Sequence, residues 1–366
     1  MATNLYAIVA FCISTSIIAW TYSVYPLLVR LLKRYYKPIR KKSGLLPRFS
    51  IVIPAYNEAN VIGRKLENLL SLDYPRDHLE TIVVDDGSTD NTAQIADTFH
   101  NVILVKSDRT GKTGAINKGL EKAKGEVVLL SDADCSLKED ALIRAAEDLA
   151  DESIGAVTGW VELVDCKTSI IRKDFSRSRA WLFGRESMLD SVPTGMGGFL
   201  AFKRKLVDRL DPRCLADDVD ITIRVRMKGF RVVYDPEIVT RTWDANIFGS
   251  WYKQTVRRTL QGLTTLFRHK SVIFNPKYGW YGAMILPTRL LLHRLTPFFL
   301  ITVAISSFFI SPILFLLLLA FSLLGALSVP SIRKMLVMQI IFLNAWGLYL
   351  SRRYEQVWEK GPRMST

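Results

Sequence analysis

A short apolar run that ends in two aspartates constrains the fold of this chain more than any other feature of its sequence. The run covers 127–130, and Asp132 and Asp134 follow it. Four residues are too few for a helix, so the run predicts a buried strand. Ligands of open α/β sheets bind at the carboxyl ends of strands, and paired carboxylates suit Mg²⁺ or Mn²⁺. The alternative on these residues alone is a plain acidic turn.

Further apolar segments predict strands that alternate with helices. The predicted strands cover 49–53, 81–84, 102–105 and 127–130, with a last one over 229–235. Pro54 and Pro236 are expected to stop the strands that precede them. Helical spacing of apolar residues over 61–70 predicts a helix between the first two strands. This alternation predicts an α/β domain with a mostly parallel sheet covered on both faces.

The N-terminal stretch over 5–32 carries no charge until Arg30 and is long enough to cross a bilayer, which needs roughly 20 apolar residues. A secretory signal peptide would place its positive charge before the apolar run. Here the positive charges follow it, at Arg30, Lys33, Arg34, Lys37, Arg40, Lys41 and Lys42. The positive-inside rule therefore predicts that the domain behind this flank is cytoplasmic.

The C-terminal third is apolar as well, and 297–327 holds no charged residue. One prediction is a helical hairpin that turns at Ser311-Pro312, with a first helix that begins near Leu286. The other is one long tilted helix over 297–327 with the next crossing over 335–352. Both give three crossings in all, and the segment 335–350 is short enough to lie in the interface instead.

The net charge of +14 is compatible with nucleic acid, an anionic membrane surface or a phosphorylated substrate. The positive charges cluster beside the apolar segments and no base-reading motif is present, so we expect no nucleic-acid partner. A transporter or channel is disfavoured because the apolar cores contain no ionisable residues.

Two polar segments are candidates for ligand binding. Gly111-Lys112-Thr113 imitates the end of a Walker A loop, but Lys106 stands where that motif requires glycine. A basic loop that opens a helix can still hold a nucleotide phosphate, and a solvated loop is the alternative. Three aspartates at 217, 218 and 220 crowd one turn, which raises the pKa of at least one of them; an acidic helix start is the alternative.

Five stretches, taken in order, resemble the family 2 glycosyltransferases, whose members carry a Rossmann-like nucleotide-sugar-binding domain called GT-A. These stretches are 54–58 (Pro-Ala-Tyr-Asn-Glu), 85–90 (Asp-Asp-Gly-Ser-Thr-Asp), 132–134 (Asp-Ala-Asp), the glycine-rich 195–204, and 215–221 with Asp217 in the place of a glutamate. The resemblance covers 48–262. It implies inversion at the anomeric carbon by in-line displacement of a nucleoside diphosphate, with a divalent metal, Mn²⁺ or Mg²⁺, as cofactor.

The resemblance also implies a role for each matched residue. The nucleotide sugar would be bound by Pro54, Ala55, Tyr56, Glu58, Asp85, Asp86, Lys112, Asp132 and Ala133. Asp132 and Asp134 would hold the metal, and Asp218 would be the catalytic carboxylate. The acceptor would be bound by Gly197, Gly198, Asp217, Gln254, Arg257, Arg258 and Arg289.

The stretch 251–262 resembles the Gln-x-x-Arg-Trp segment of cellulose and hyaluronan synthases, with Gln254 and Arg257 in place. Arg258 replaces the tryptophan that helps to hold the acceptor sugar in those synthases, which disfavours a growing polysaccharide as acceptor. Arginine pairs well with phosphate through its planar fork. A basic amphipathic helix on the membrane surface is the other interpretation, and the two are compatible.

These observations predict four regions: a transmembrane helix with its basic flank (1–46), a cytoplasmic GT-A domain (47–245), interfacial helices (246–285) and C-terminal transmembrane or interfacial helices (286–366). We expect an integral protein of the cell membrane, in contact with membrane lipids, that transfers a sugar from a nucleotide sugar to a polyprenyl phosphate such as dolichyl phosphate. Similarity to dolichyl-phosphate mannosyltransferases makes GDP-mannose the first donor to test. The alternatives are a small processive polysaccharide synthase, a glycolipid synthase that uses UDP-glucose, and a non-catalytic nucleotide-sugar-binding protein.

Overall fold

The computed structural model describes residues 2–44, 46–164, 170–243 and 248–352. Eight strands form one sheet in the order β3-β2-β1-β4-β7-β6-β8-β5. The strands are β1 (Phe49–Ala55), β2 (Leu79–Asp85), β3 (Val102–Lys106), β4 (Val127–Leu130), β5 (Cys135–Leu137), β6 (Ile154–Val164), β7 (Leu200–Lys203) and β8 (Arg231–Trp243). β1 pairs in parallel with β2 and β4, β2 with β3, and β6 with β8. The predicted α/β domain with a mostly parallel sheet is confirmed.

Helices cover both faces of this sheet. The helices of the domain are α3 (Ala59–Leu70), α4 (Thr92–Asp97), α5 (Gly111–Lys122), α6 (Ala141–Leu149), α7 (Ile170–Leu189) and α8 (Asp217–Met227). One apolar core joins α3, α4 and α6 to the sheet, and a second joins α5, α7 and α8 to its other face. Because parallel strands are buried on both faces, β1 is apolar and buried along its whole length.

Both prolines that were expected to stop a strand lie inside one, so these two predictions are wrong. Pro54 pairs with Val84 of β2, whereas the pairing of β1 with β4 ends at Val52. Its missing N–H therefore faces the side where β4 has already ended. Pro236 lies at a register shift between β6 and β8, where the ladder is interrupted. A bulge of this kind tolerates a residue without an N–H group.

The N-terminal segment forms one helical rod from α1 (Ala2–Ala19) through a π-helical turn (Trp20–Val24) into α2 (Tyr25–Leu31). Among the described residues, two helical stretches are long and apolar enough to cross a bilayer, Asn4–Tyr35 and Tyr281–Ile310. The second consists of two π-helical turns and α10 (His293–Ile310).

The helix after α10 starts anew, so the prediction of one continuous helix over 297–327 is wrong. Ser311 is extended, with φ −160° and ψ 120°, and Pro312 opens α11 (Pro312–Ser328). Proline suits the first turn of a helix because its missing N–H would have no partner there. The break therefore lies at the Ser311-Pro312 position of the predicted hairpin. α12 (Pro330–Leu350) follows, and its crossing of the membrane stays a prediction.

Polar side chains join the N-terminal rod to the C-terminal helices. Trp20 donates from Nε1 to Oγ1 of Thr288 at 3.0 Å, and Gln339 donates to the hydroxyl of Tyr22 at 3.3 Å. Hydrogen bonds between helices that cross a bilayer are worth about 0.6–2 kcal/mol each. The two ends of the chain therefore form one helical bundle beside the sheet domain. The predicted boundary between the GT-A domain and the interfacial helices, at 245–246, lies outside the described residues.

The basic flank after the first helix is docked onto the sheet domain. The backbone N–H of Arg40 donates to Asp151 at 3.0 Å, and Lys41 Nζ lies 2.6 Å from Asp235 and 3.5 Å from Asp148. Burial and the neighbouring carboxylate of Asp235 raise the pKa of Asp148 to about 8, even though Lys41 opposes this shift. Asp148 is therefore protonated in the folded protein at neutral pH.

We expect the Asp148→Asn variant to lose less stability than the wild type as pH rises from 5 to 8. The unfolded carboxyl group has a pKa of about 3.9, so in this window the folded wild type binds the extra proton. Stability falls with pH where the folded state binds more protons, and asparagine removes this contribution. Thermal unfolding between pH 5 and 8 measures the difference. Asp140→Asn, at a half-buried carboxylate that is ionised at these pH values, is the control; an unchanged slope in Asp148→Asn would contradict the prediction.

Candidate active site

The two aspartates after β4 lie against the glycine-rich stretch. The backbone N–H of Asp132 donates to the carbonyl of Gly197 at 3.2 Å, and the hydroxyl of Ser131 donates to the carbonyl of Gly198 at 2.8 Å. A Cβ atom at position 197 would lie 2.7 Å from Oδ2 of Asp132, closer than real Cβ contacts. Any larger residue at position 197 would therefore displace the carboxylate of Asp132, because the segment passes directly over it.

Lys112 joins this turn to the start of α8. Its Nζ lies 3.0 Å from Oδ1 of Asp132 and 3.3 Å from Oδ1 of Asp217. Burial disfavours the charged ammonium, but the two carboxylates outweigh it and raise the pKa of Lys112 above its usual value. The lysine therefore stays charged and connects Asp132 and Asp217, which are 85 positions apart in the sequence.

The loops after β1 and β2 hold each other in place. Asn57 has a left-handed backbone with φ +54°, accepts from the N–H of Thr89 at 2.8 Å and donates its own N–H to Ser88. Glu58 is buried and donates its N–H to the hydroxyl of Thr92 at 2.7 Å. The two motifs at 54–58 and 85–90 therefore form one structural unit at the carboxyl edge of the sheet.

The two aspartates after β2 have different surroundings. Asp86 is saturated, because its carboxylate accepts from the backbone N–H groups of Thr110 and Gly111, each at 2.8 Å, and from Arg109. It thus fixes the start of α5, which carries Lys112. Asp85, in contrast, has a buried Oδ1 with no hydrogen-bond partner in the described part of the chain. Asp85 is therefore available to a ligand at this edge.

The start of α8 is held by the long helix α9 (Phe248–Arg268). The N–H of Ala216 donates to Thr265 Oγ1 at 3.1 Å, and Asp220 accepts from His269 at 2.5 Å while it pairs with Arg224 at 2.8 Å. Asp218 lies between these contacts. Burial and the adjacent Asp217 raise its pKa to about 6, so Asp218 is ionised at neutral pH.

Residues 50–211 match the model of the glycosyl transferase family 2. The chain contains a family 2 glycosyltransferase domain. It is similar to a probable glycosyltransferase, YdaM, of Bacillus subtilis, with 29% identity over 60% of this chain and 56% of that protein. It is also similar to the poly-beta-1,6-N-acetyl-D-glucosamine synthase of Staphylococcus epidermidis, with 30% identity over 60% of this chain and 55% of the relative. The chain thus spans about half the length of the curated relatives it matches.

One solved structure resembles nearly the whole chain. It is the mannosyltransferase PcManGT of Pyrobaculum calidifontis in complex with GDP-Man and Mn²⁺, with a TM-score of 0.76 and 29% identity. The match covers 94% of this chain and 100% of that one. The GT-A fold of the glycosyltransferase domain, expected from the motif resemblance, is confirmed.

The acceptor-side residues expected from the sequence are partly brought together. Arg258 of α9 and Arg289 of the second membrane-type helix both lie within electrostatic range of Arg179 on α7, as does Asp218. Gln254 and Arg257 are half-buried on α9, but Gln254 makes no hydrogen bond or ion pair to the start of α8 within the described ranges.

Two arginines that lie close to candidate site residues were missed by the sequence analysis. Arg109 stacks on the ring of Tyr56, with its Cζ 3.2 Å from the ring centroid. Arg179 lies 5.9 Å from the ring centroid of Phe183, and Arg289 lies 5.7 Å from the same ring. Arg109 stands three residues before Lys112, so its place in the same basic loop could have identified it as a candidate site residue. No motif singles out Arg179, since α7 is not part of the resemblance.

Gly197→Ala is expected to weaken Mn²⁺-dependent binding of nucleotide sugar while it changes stability little. The new Cβ would displace the carboxylate of Asp132, and a half-exposed side chain can move at low cost. Isothermal titration calorimetry and the melting temperature measure the two effects. Gly63→Ala is the matched control, because its Cβ would make an ordinary 3.6 Å contact with Ile95. Unchanged binding of nucleotide sugar in Gly197→Ala would contradict the prediction, because it would show that binding does not depend on the position of the Asp132 carboxylate.

Proposed function

We propose that the protein is an inverting, metal-dependent membrane glycosyltransferase that transfers a sugar from a nucleotide sugar to a polyprenyl phosphate. The observation that carries the proposal is a group of arginines next to Asp218. Arg258 and Arg289 both lie within electrostatic range of Arg179, and burial together with these two guanidinium groups lowers the pKa of Arg179 to about 10. In the described part of the chain, neither Arg179 nor Arg258 forms an ion pair.

An excess of positive charge of this kind favours an anionic ligand. An arginine whose charged form is disfavoured by like charges gains from an added anion, and its guanidinium matches phosphate geometry. Arg179 lies within electrostatic range of Asp218 at the start of α8, and Arg289 belongs to one of the two stretches that are apolar enough to cross a bilayer. A lipid phosphate combines a negative charge, which would meet the arginines, with an apolar chain, which would lie along the apolar helices.

The donor side is proposed to bind a nucleoside diphosphate sugar, first of all GDP-mannose. The support is the structural similarity to a mannosyltransferase crystallised with GDP-Man and Mn²⁺. Asp85, with its unpartnered buried oxygen, is proposed to accept a ribose hydroxyl, and Pro54, Ala55, Tyr56, Glu58, Asp86 and Ala133 to line the same pocket. Lys112 stays charged and is proposed to approach the diphosphate.

Asp132 and Asp134 are proposed to hold the divalent ion. The fit is supported by the two carboxylates, which are hard oxygen ligands and stand two residues apart in the turn after β4. A bound ion of this kind holds a diphosphate and stabilises its charge as it departs.

Transfer is proposed as attack of an acceptor phosphate oxygen on the anomeric carbon, with cleavage of the bond from that carbon to the nucleoside diphosphate. The acceptor phosphate is already anionic, so little proton removal is required, and Asp218 is proposed to position the acceptor. The two flexible glycines 197 and 198, together with Asp217, are proposed to shape the acceptor side.

The direct test uses purified protein in detergent with Mn²⁺ and radiolabelled nucleotide sugars, each with and without dolichyl phosphate. We expect organic-phase label from GDP-mannose that requires both the lipid and the metal. Label in a water-soluble polymer would instead support a polysaccharide synthase, the alternative that the 30% identical synthase favours. Lipid label from UDP-glucose without a lipid phosphate would support a glycolipid synthase.

Asp218→Asn is expected to lower turnover by roughly 10²-fold, the loss that misplacement of a reacting group by about 1 Å can cause, while donor binding is retained. The residue lies at the acceptor end of the site, away from the base and ribose loops. Turnover and the dissociation constant of the donor measure the two effects. Turnover equal to that of the wild type would remove Asp218 from the mechanism.

Arg179→Gln is expected to raise the acceptor KM by about tenfold, the size of one lost charge-assisted hydrogen bond, without change in the donor KM. The reason is that Arg179 is proposed to meet the acceptor phosphate. Arg185→Gln is the matched control, because Arg185 is on the same helix but stacks on the exposed Trp181 at 3.7 Å. An equal rise of KM in both variants would show that the effect is not specific to the arginine group.

A further inference from the structure

A buried contact joins the two apolar helices to the sheet domain beside the arginine group. Glu186 of α7 is fully buried, with 0% of its side chain exposed. Its Oε1 accepts from the hydroxyl of Tyr25 at 2.5 Å and lies 3.1 Å from Nε of Arg289. Tyr25 belongs to the N-terminal rod and Arg289 to the C-terminal stretch Tyr281–Ile310. Three separate elements therefore meet at one carboxylate.

The contact uses only one side of the Arg289 guanidinium. Its buried Nε lies at ion-pair distance from Oε1 of Glu186, 3.1 Å, without a hydrogen bond of good geometry. Its two Nη nitrogens make no hydrogen bond or ion pair to any described residue. The Phe183 ring lies between Arg289 and Arg179, with guanidinium-to-centroid distances of 5.7 and 5.9 Å. A carboxylate that forms an ion pair with one nitrogen of a guanidinium keeps the charged group close to it and leaves the other nitrogens for a second anion.

We propose that Glu186 is a positioning residue of the acceptor site, which holds Arg289 through Nε so that its Nη nitrogens face the acceptor phosphate. Tyr25 completes the contact, so the N-terminal helix takes part in acceptor binding without touching the acceptor. The inference rests on the proposed phosphate acceptor. It assigns functions to Glu186 and Tyr25, which the sequence motifs do not include.

Burial of Glu186 makes its ion pair with Arg289 dependent on pH. Burial raises the pKa of Glu186 to about 7, although Arg289 and Tyr25 both act to lower it. Among the described residues, these two are the titratable groups that face the carboxylate. Protonation would remove the ion pair, so the hold on Arg289 is expected to weaken as pH falls below 7.

The test is steady-state kinetics of Glu186→Gln with dolichyl phosphate as the varied acceptor. We expect the acceptor KM to rise by about tenfold, the usual cost of losing a group that orients a ligand-binding side chain, while kcat and the donor dissociation constant stay close to wild type. The wild-type acceptor KM is expected to rise as pH falls from 8 to 6. Dolichyl phosphate itself titrates in this pH range and affects both proteins equally. The measured quantity is therefore the difference between the rise of the acceptor KM in the wild type and the rise in Glu186→Gln.

A double-mutant cycle separates a positioning role from a structural one. If Glu186 acts through Arg289, adding Glu186→Gln to Arg289→Gln raises the acceptor KM no further. Tyr25→Phe, which removes one hydroxyl from an apolar helix, is expected to raise the acceptor KM in the same direction by a smaller factor. The Tyr25→Phe variant still tests the inference if the Glu186→Gln variant does not fold.

Asp190→Asn is the matched control. Asp190 directly follows the end of α7, one turn beyond Glu186, is buried, and pairs with Arg226 at 2.9 Å. We expect it to lower the melting temperature but not to change the acceptor KM. Failure of the wild type to label dolichyl phosphate would overturn the proposed function itself. Wild-type labelling together with an unchanged acceptor KM in Glu186→Gln and Tyr25→Phe would overturn this inference alone.

Discussion

The bridge that Lys112 makes between Asp132 and Asp217 is the contact on which the arrangement of the site depends. Asp132 follows a central strand, and Asp217 begins the helix that carries Asp218. Lys112 can reach both because Asp86 fixes the first turn of its helix through backbone N–H groups. A charge enclosed by opposite charges stays ionised despite burial, so this link persists at neutral pH. It holds the turn after β4 and the start of α8 together.

Positive charge is distributed unevenly around this bridge. On the side of the sheet, two buried carboxylates have partners, because Asp235 pairs with Lys41 and Asp86 accepts from the start of α5. On the side of the apolar helices, Arg179 and Arg289 flank one phenylalanine ring, and Glu186 is the carboxylate that contacts Arg289. Charges left in excess near low-dielectric surroundings mark a place where an anion is stabilised.

Periodicity and motif order were enough to predict the central strands and their parallel pairing. The strands over 127–130 and 102–105 were placed within a residue, because buried parallel strands are continuous apolar runs. The strands β5, β6 and β7 were not predicted. In β6, Gly155 and Gly159 interrupt the apolar pattern, and they do so because neighbouring strands and side chains pack too closely for a Cβ atom. The prolines failed as stop signals because a strand can continue through a proline where the neighbouring strand offers no partner for the missing N–H group. β4 has already ended beside Pro54, and the ladder is interrupted at Pro236.

The sequence by itself determined the family of the domain, the positions of its acidic motifs and the two apolar ends, since each depends on residues close together in the chain. Tertiary structure alone decided which charges face each other. It placed Arg179 of α7 beside Arg258 and Arg289, and it used Glu186 to join Tyr25 to Arg289 across 264 positions of sequence. No local pattern encodes such contacts, because they arise when separate helices pack on one sheet and their charged groups must then find partners in a low dielectric.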